Sequence, residues 1–320
     1  MTTPQQSHAA PPAPPVPPGV PQAPPAGVRQ QDDRPSGVGC APPVPLRTAH
    51  LGHAIVSEWT KIRSVRSTVW TLAIMFVLVL GVGLLTGLAL GSEETAGAPV
   101  LAGGFFGLMF GQLCIVTLGV LVITSEYSTG MIRTTLTACP QRARVLTAKA
   151  LVFFLLSFVT TLVACTLTAL IHAAMIGGKP LPQYTGMSSF NEESLAASEA
   201  VASAGEWAGA TVGAALFVAL LGLLSLAVGA LLRSTPGAIT TMLGVVLLPF
   251  LVSLFLFGES VREFGEKLRE YSVLNGLSSL FRLSMESDGG GTGWPLLGLL
   301  AAVTLVALGG AYARISTRDV

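Results

Sequence analysis

His172, near the outer end of a long apolar stretch, is the one candidate for an ionisable group inside such a stretch of this sequence. At membrane depth such a group is a functional candidate by default, as a proton relay or an ion ligand. It has no acid partner in its own stretch, and a lone histidine of this kind is more simply a packing residue. No apolar stretch carries Asp or Glu in its interior. That argues against a proton- or sodium-coupled carrier, although backbone carbonyls also bind sodium. The remaining reactive residues do not form a site. Cys40, Cys114, Cys139 and Cys165 lack paired metal spacing. Motifs of the His-Glu-x-x-His, Gly-x-Ser-x-Gly and Gly-x-x-x-x-Gly-Lys-Ser/Thr types are missing from the sequence. Gly178-Lys179 is followed by Pro180 and so cannot open a phosphate-binding helix. The expectation is a chain that is no enzyme, binds no cofactor or metal, and draws energy from another polypeptide or a solute gradient.

The elements that would position any site are read from charge. Half of the chain is hydrophobic (51%), only 11% is charged, and the mean hydropathy is +0.67, against about 25% charged in a soluble domain. Charged residues bracket six uncharged intervals, 67–92, 95–125, 150–178, 207–232, 234–258 and 289–313. A helix needs about 20 apolar residues to cross a bilayer core, so each interval predicts one span. The spans are placed near 69–90, 101–124, 150–175, 209–232, 237–257 and 294–313. With the N-terminus inside, ten Lys and Arg near the span ends face the cytoplasm and five, diluted by acids, face out. The positive-inside rule then places both termini in the cytoplasm of a cell-membrane protein. The net charge of +1 averages these two sides, and no nucleic-acid partner is expected.

Residues 1–50 hold 14 of the 21 prolines within their first 45 positions and predict a disordered, partly polyproline cytoplasmic tail. Residues 51–320 then form the membrane domain. Its first segment, LGHAIVSEWTKIRSVRS, sets Leu51, Ile55, Trp59 and Ile62 at helical spacing among Lys61, Arg63 and Arg66. That pattern predicts an amphipathic helix in the membrane interface. Between spans five and six, Val261, Phe264, Leu268, Tyr271 and Leu274 recur among alternating charges. This predicts a second amphipathic helix, at the outer interface, followed by an apolar segment near 277–283. Gly83, Gly87 and Gly91 form one small-residue row, and Gly103, Gly107 and Gly111 another. Such rows let helices approach closely, within one chain or between two.

The loop Ser125–Lys149, SEYSTGMIRTTLTACPQRARVLTAK, is a basic, turn-bearing segment between two apolar spans. Together with SEWTKIRSVRSTVWTL before the first span and LLRSTPGAI after the fourth, it resembles the membrane subunits of type-2 ABC exporters, nearest to permeases of actinobacterial two-component systems. The Glu-Tyr-x-x-Gly-x-Ile-Arg-x-Thr-Leu pattern at Glu126–Leu136 is the most specific part. The resemblance covers roughly residues 51–313. It implies an all-α integral membrane protein of six spans, with an N-terminal interfacial helix and short outer-leaflet helices between spans five and six. It also implies a second permease copy and separate ATP-binding subunits that hold ATP and Mg. In that family the loop between spans two and three docks on the ATPase, which assigns a coupling role to Glu126, Tyr127, Gly130, Ile132, Arg133 and Thr134. The implied function is the permease of an ATP-driven exporter. The alternatives are a gradient-driven carrier or channel, or a non-transporting membrane scaffold.

Overall fold

The computed structural model describes residues 50–130, 142–182, 190–256, 259–283 and 293–317. The Pro-rich segment, Cys40 and Cys139, and the middle of the 125–149 loop lie outside them. The described elements are helical. In chain order they are α1 (Leu51–Ser64), α2 (Arg66–Gly91), α3 (Gly104–Ser128), α4 (Arg142–Ile176), α5 (Glu192–Ala197) and α6 (Ala204–Ala208). A π-helical turn, Gly209–Gly213, joins α6 to α7 (Ala214–Leu232). Then come α8 (Thr235–Ser253), α9 (Glu259–Glu270), α10 (Val273–Leu280) and α11 (Trp294–Thr317). Among the described residues, six helices are long and apolar enough to cross a membrane: α2, α3, α4, α6–α7 taken together, α8 and α11.

The bundle is organised around α7. Of the residues in its apolar stretch 72% are buried, against 17% for α8 and 11% for α11, so α7 is the core and the other two are its wall. It packs against α3, α4, α8 and α11. Small residues set the spacing. A Cβ on Gly119 would lie 2.5 Å from the carbonyl oxygen of Gly222, so α3 and α7 touch backbone to backbone. Thr304 Oγ1 adds a 3.4 Å hydrogen bond to the Leu220 carbonyl, joining α11 to α7.

Several boundaries differ from those read off the sequence. The second span, expected to stop at 124, runs on to Ser128, and the third begins at Arg142 rather than 150. Charged residues end an apolar interval but not a helix, provided the charges find partners. The fifth span ends at Ser253, short of 257. The amphipathic pattern of 258–274 is not one helix either. Ser272 interrupts it, accepting a 3.1 Å bond from Asn275 N and capping a separate helix, α10. That helix is buried from Leu274 to Leu280 and packs with α3, α7, α8 and α11, whereas Val261 and Phe264 of α9 are exposed.

Candidate functional site: a four-charge cluster at the base of the loop

Glu58 and Lys61 lie one turn apart on α1, Glu126 on the last turn of α3, and Lys149 on the second turn of α4. The fold brings these four charges into contact. Lys61 Nζ is 2.9 Å from Glu58 Oε1 and 2.7 Å from Glu126 Oε1; Lys149 Nζ is 2.6 Å from Glu58 Oε2 and 3.0 Å from Glu126 Oε1. Glu58, Glu126 and Lys149 are buried, and the Lys61 side chain is 27% exposed. Two carboxylates and two ammonium groups make the cluster neutral, which is the condition for burying charge at tolerable cost. Each acid meets both lysines. Burial by itself pulls the Lys61 ammonium down, but its hydrogen bonds to Glu126 and Glu58 and their charges outweigh that and hold it above the ordinary lysine value.

The cluster explains the packing of α1. The sequence suggests an apolar row of Leu51, Ile55, Trp59 and Ile62. In the structure Leu51 and Trp59 are exposed, at 40% and 46%, and the packed face is Ala54, Ile55, Glu58, Lys61 and Ile62. Ion pairing turns the helix so that its polar pair, and not its tryptophan, faces α3 and α4. Arg63 and Arg66 point outward.

The two ends of the 125–149 loop are therefore helical, and both are tied to α1. Beside Glu126, Tyr127 is half-buried beneath Arg233, whose guanidinium lies 5.3 Å from the ring centroid, a cation–π contact. Arg233 itself caps α7 in the left-handed region, at φ 54°. Gly130 takes φ 71° just past the end of α3 and is free of neighbours. That left-handed conformation turns the chain out of the helix and favours glycine. Ile132, Arg133 and Thr134 fall outside the described residues.

Elsewhere the chemistry-bearing residues are structural. His172 is fully buried; its Nε2 lies 2.8 Å from the Gly83 carbonyl and 3.3 Å from Thr86 Oγ1. A carbonyl only accepts, so Nε2 carries the proton. The ring is wedged against Gly87 and Gly103, where a Cβ would come within 2.9 and 2.8 Å of it. Gly83 faces Thr168 of α4, while Gly107 and Gly111 face Val79 of α2; both glycine rows thus serve contacts within the chain. Lys179, at the far end of α4, donates to the carbonyls of Gly91 and Glu93, both at 2.6 Å. Among the described residues no group of His, Cys, Asp and Glu could hold a metal ion.

Glu58 and Lys149 are the site residues that sequence reasoning passes over. Glu58 is the single acid in an otherwise basic stretch, three residues before a lysine, and that isolation was the available signal. Lys149 gave none, since its partners lie 91 and 23 residues away.

Residues 54–195 match the model of a family described as ABC-2 family transporter protein. No curated protein matches the chain. The matched stretch holds nearly all of α1, all of α2–α4, the start of α5 and all four members of the cluster. Together with six apolar helices it supports a multi-pass membrane permease of the ABC-2 type.

Proposed function

We propose that the chain is the permease subunit of an ATP-driven exporter in the cell membrane, powered by a separate ATP-binding subunit that docks on the 125–149 loop from the cytoplasm. The observation that carries this reading is the ion pairing at the loop's two stems. Glu126 and Lys149 bond to each other and, through Glu58 and Lys61, to α1. A displacement of the loop is then felt by α1, α3 and α4 together, which a motor acting from outside the membrane requires. Glu126 and Tyr127 have their side chains committed inward, so in this reading they brace the loop. Ile132, Arg133 and Thr134 form the surface that meets the partner, and Gly130 aims it. With both termini in the cytoplasm, α1 lies along the inner interface with Trp59 at headgroup depth, and α9 and α10 lie at the outer leaflet. A second permease copy completes the translocation path, whose apolar walls suit a lipophilic cargo.

The test is co-purification. Arg133→Glu is expected to abolish recovery of the ATP-binding subunit while leaving membrane insertion intact. Normal recovery and transport by this variant would remove the loop from the coupling role. ATP-independent solute flux by the purified chain in liposomes would replace the exporter by a gradient-driven carrier or channel.

A further inference from the structure

A cavity of about 290 Å³ opens beside the four-charge cluster, between α1, the start of α2 and the end of α3. One wall is apolar, from Ile62, Val65, Leu118, Leu121 and Val122; Ser67, Thr68, Ser125 and Thr129 bring hydroxyls, and Glu126, Lys61 and Lys149 close it. Three of the four carboxylate oxygens in the cluster accept from a lysine. The fourth, Oε2 of Glu126, is buried and has no donor among the described residues. Glu126 lines the cavity, and a buried carboxylate oxygen without a donor costs free energy that an N–H group brought to it would recover.

We propose that this cavity is a lipid site that takes a primary-ammonium headgroup of the phosphoethanolamine type, its N–H donating to Glu126 and its acyl chains lying along the α3 wall. The charges favour a zwitterion. The cluster is neutral as it stands, so a bare anion meets two carboxylates and a bare cation two ammonium groups. A headgroup carrying both signs sets its ammonium against Glu126 and its phosphate toward Lys61, the less buried of the two lysines. The position is that of an interface: the cavity sits at the α1–α2 junction, next to the exposed Val69 and Trp70 at the start of a membrane-crossing helix. This inference rests on membrane insertion alone and not on export.

Native mass spectrometry of the full chain in detergent, offered phosphatidylethanolamine and phosphatidylcholine with identical acyl chains, tests it. Choline has the same charge but no N–H. Retention of the ethanolamine lipid is expected to exceed that of the choline lipid about tenfold, the worth of one charge-assisted hydrogen bond. Glu126→Gln is expected to level the two. Leu121→Trp fills the apolar wall without touching the cluster and is expected to lose the lipid with melting temperature and helicity unchanged, so it carries the test if Glu126→Gln fails to fold. Equal retention of both lipids by the natural chain, or retention unchanged in Leu121→Trp, overturns the proposal. Displacement of the lipid by an equal concentration of soluble phosphoethanolamine also overturns it, by making the cavity a site for a soluble amine.

Discussion

The two ends of α4, a helix of 35 residues and so roughly 50 Å long, handle charge in opposite ways. At the loop-bearing end, four full charges from three helices neutralise one another, and every bond joins groups that belong to side chains. At the far end, charges are settled against uncharged groups. Lys179 sits on the carbonyls that end α2, and buried Glu206 accepts from Asn191 Nδ2 and from Ser203 N in a capping box. The last carbonyls of a helix have no partner within it, so at the far end one ammonium satisfies backbone groups that the helix leaves open. At the loop end paired side chains tie three helices to one another. The far end settles a helix terminus, and the loop end links helices.

The strongest way to break this contrast is to remove one charge from the cluster. Lys149→Met leaves Glu58 and Glu126 facing Lys61 alone. Uncompensated buried charge of this kind costs about 3–5 kcal/mol, so a large fall in the detergent melting temperature is expected, with faster hydrogen exchange in α1. An unchanged melting temperature would mean that the cluster braces nothing. Next in size is backbone contact in the membrane interior. Gly107→Ala would put a Cβ 2.6 Å from the Val79 carbonyl and should cost about 1–3 kcal/mol as overpacking. Gly81→Ala, with nothing within 4 Å, should cost nothing, and thermal melts of the two variants compare them directly. Lys179→Met removes only a cation at a helix C-terminus, worth about 0.3–1 kcal/mol. A loss as large as that of Lys149→Met would erase the distinction between the ends.

Titration sharpens the same contrast. The ammonium of Lys61 is held above the ordinary value of 10.5 in the folded chain, so its contribution is complete below 10.5 and lost as pH rises through the elevated value. Loop-end stability should therefore be flat from neutral pH to about 10.5 and decline in strong alkali, read as the melting temperature against pH. The smallest effect is expected on α9. Its Arg262–Glu266 and Lys267–Glu263 pairs are solvent-exposed, and Lys267→Ala should leave melting unchanged.

The six spans were legible because lipid demands length and apolarity, and both are counted directly along the chain. The ends of those spans were not. Glu126 looks like the stop of the second span until Lys61 and Lys149 are known to meet it, and those contacts join residues 65 and 23 positions away. The packed face of α1 was not legible for the same reason: an apolar row is visible in sequence, whereas a polar pair that buries itself against distant charges is not. Glycine rows announced close packing but not their partners. Gly119 and Gly222, which bring two backbones together, became significant only once α3 and α7 lay side by side.

The order of the four charges along the chain has a consequence for biogenesis. Glu58, Lys61 and Glu126 leave the ribosome before Lys149. Until α4 follows them, the two acids of the cluster share one ammonium. Arrival of the fourth residue makes the cluster neutral, so the ion pairs that join α1, α3 and α4 are completed last, by α4.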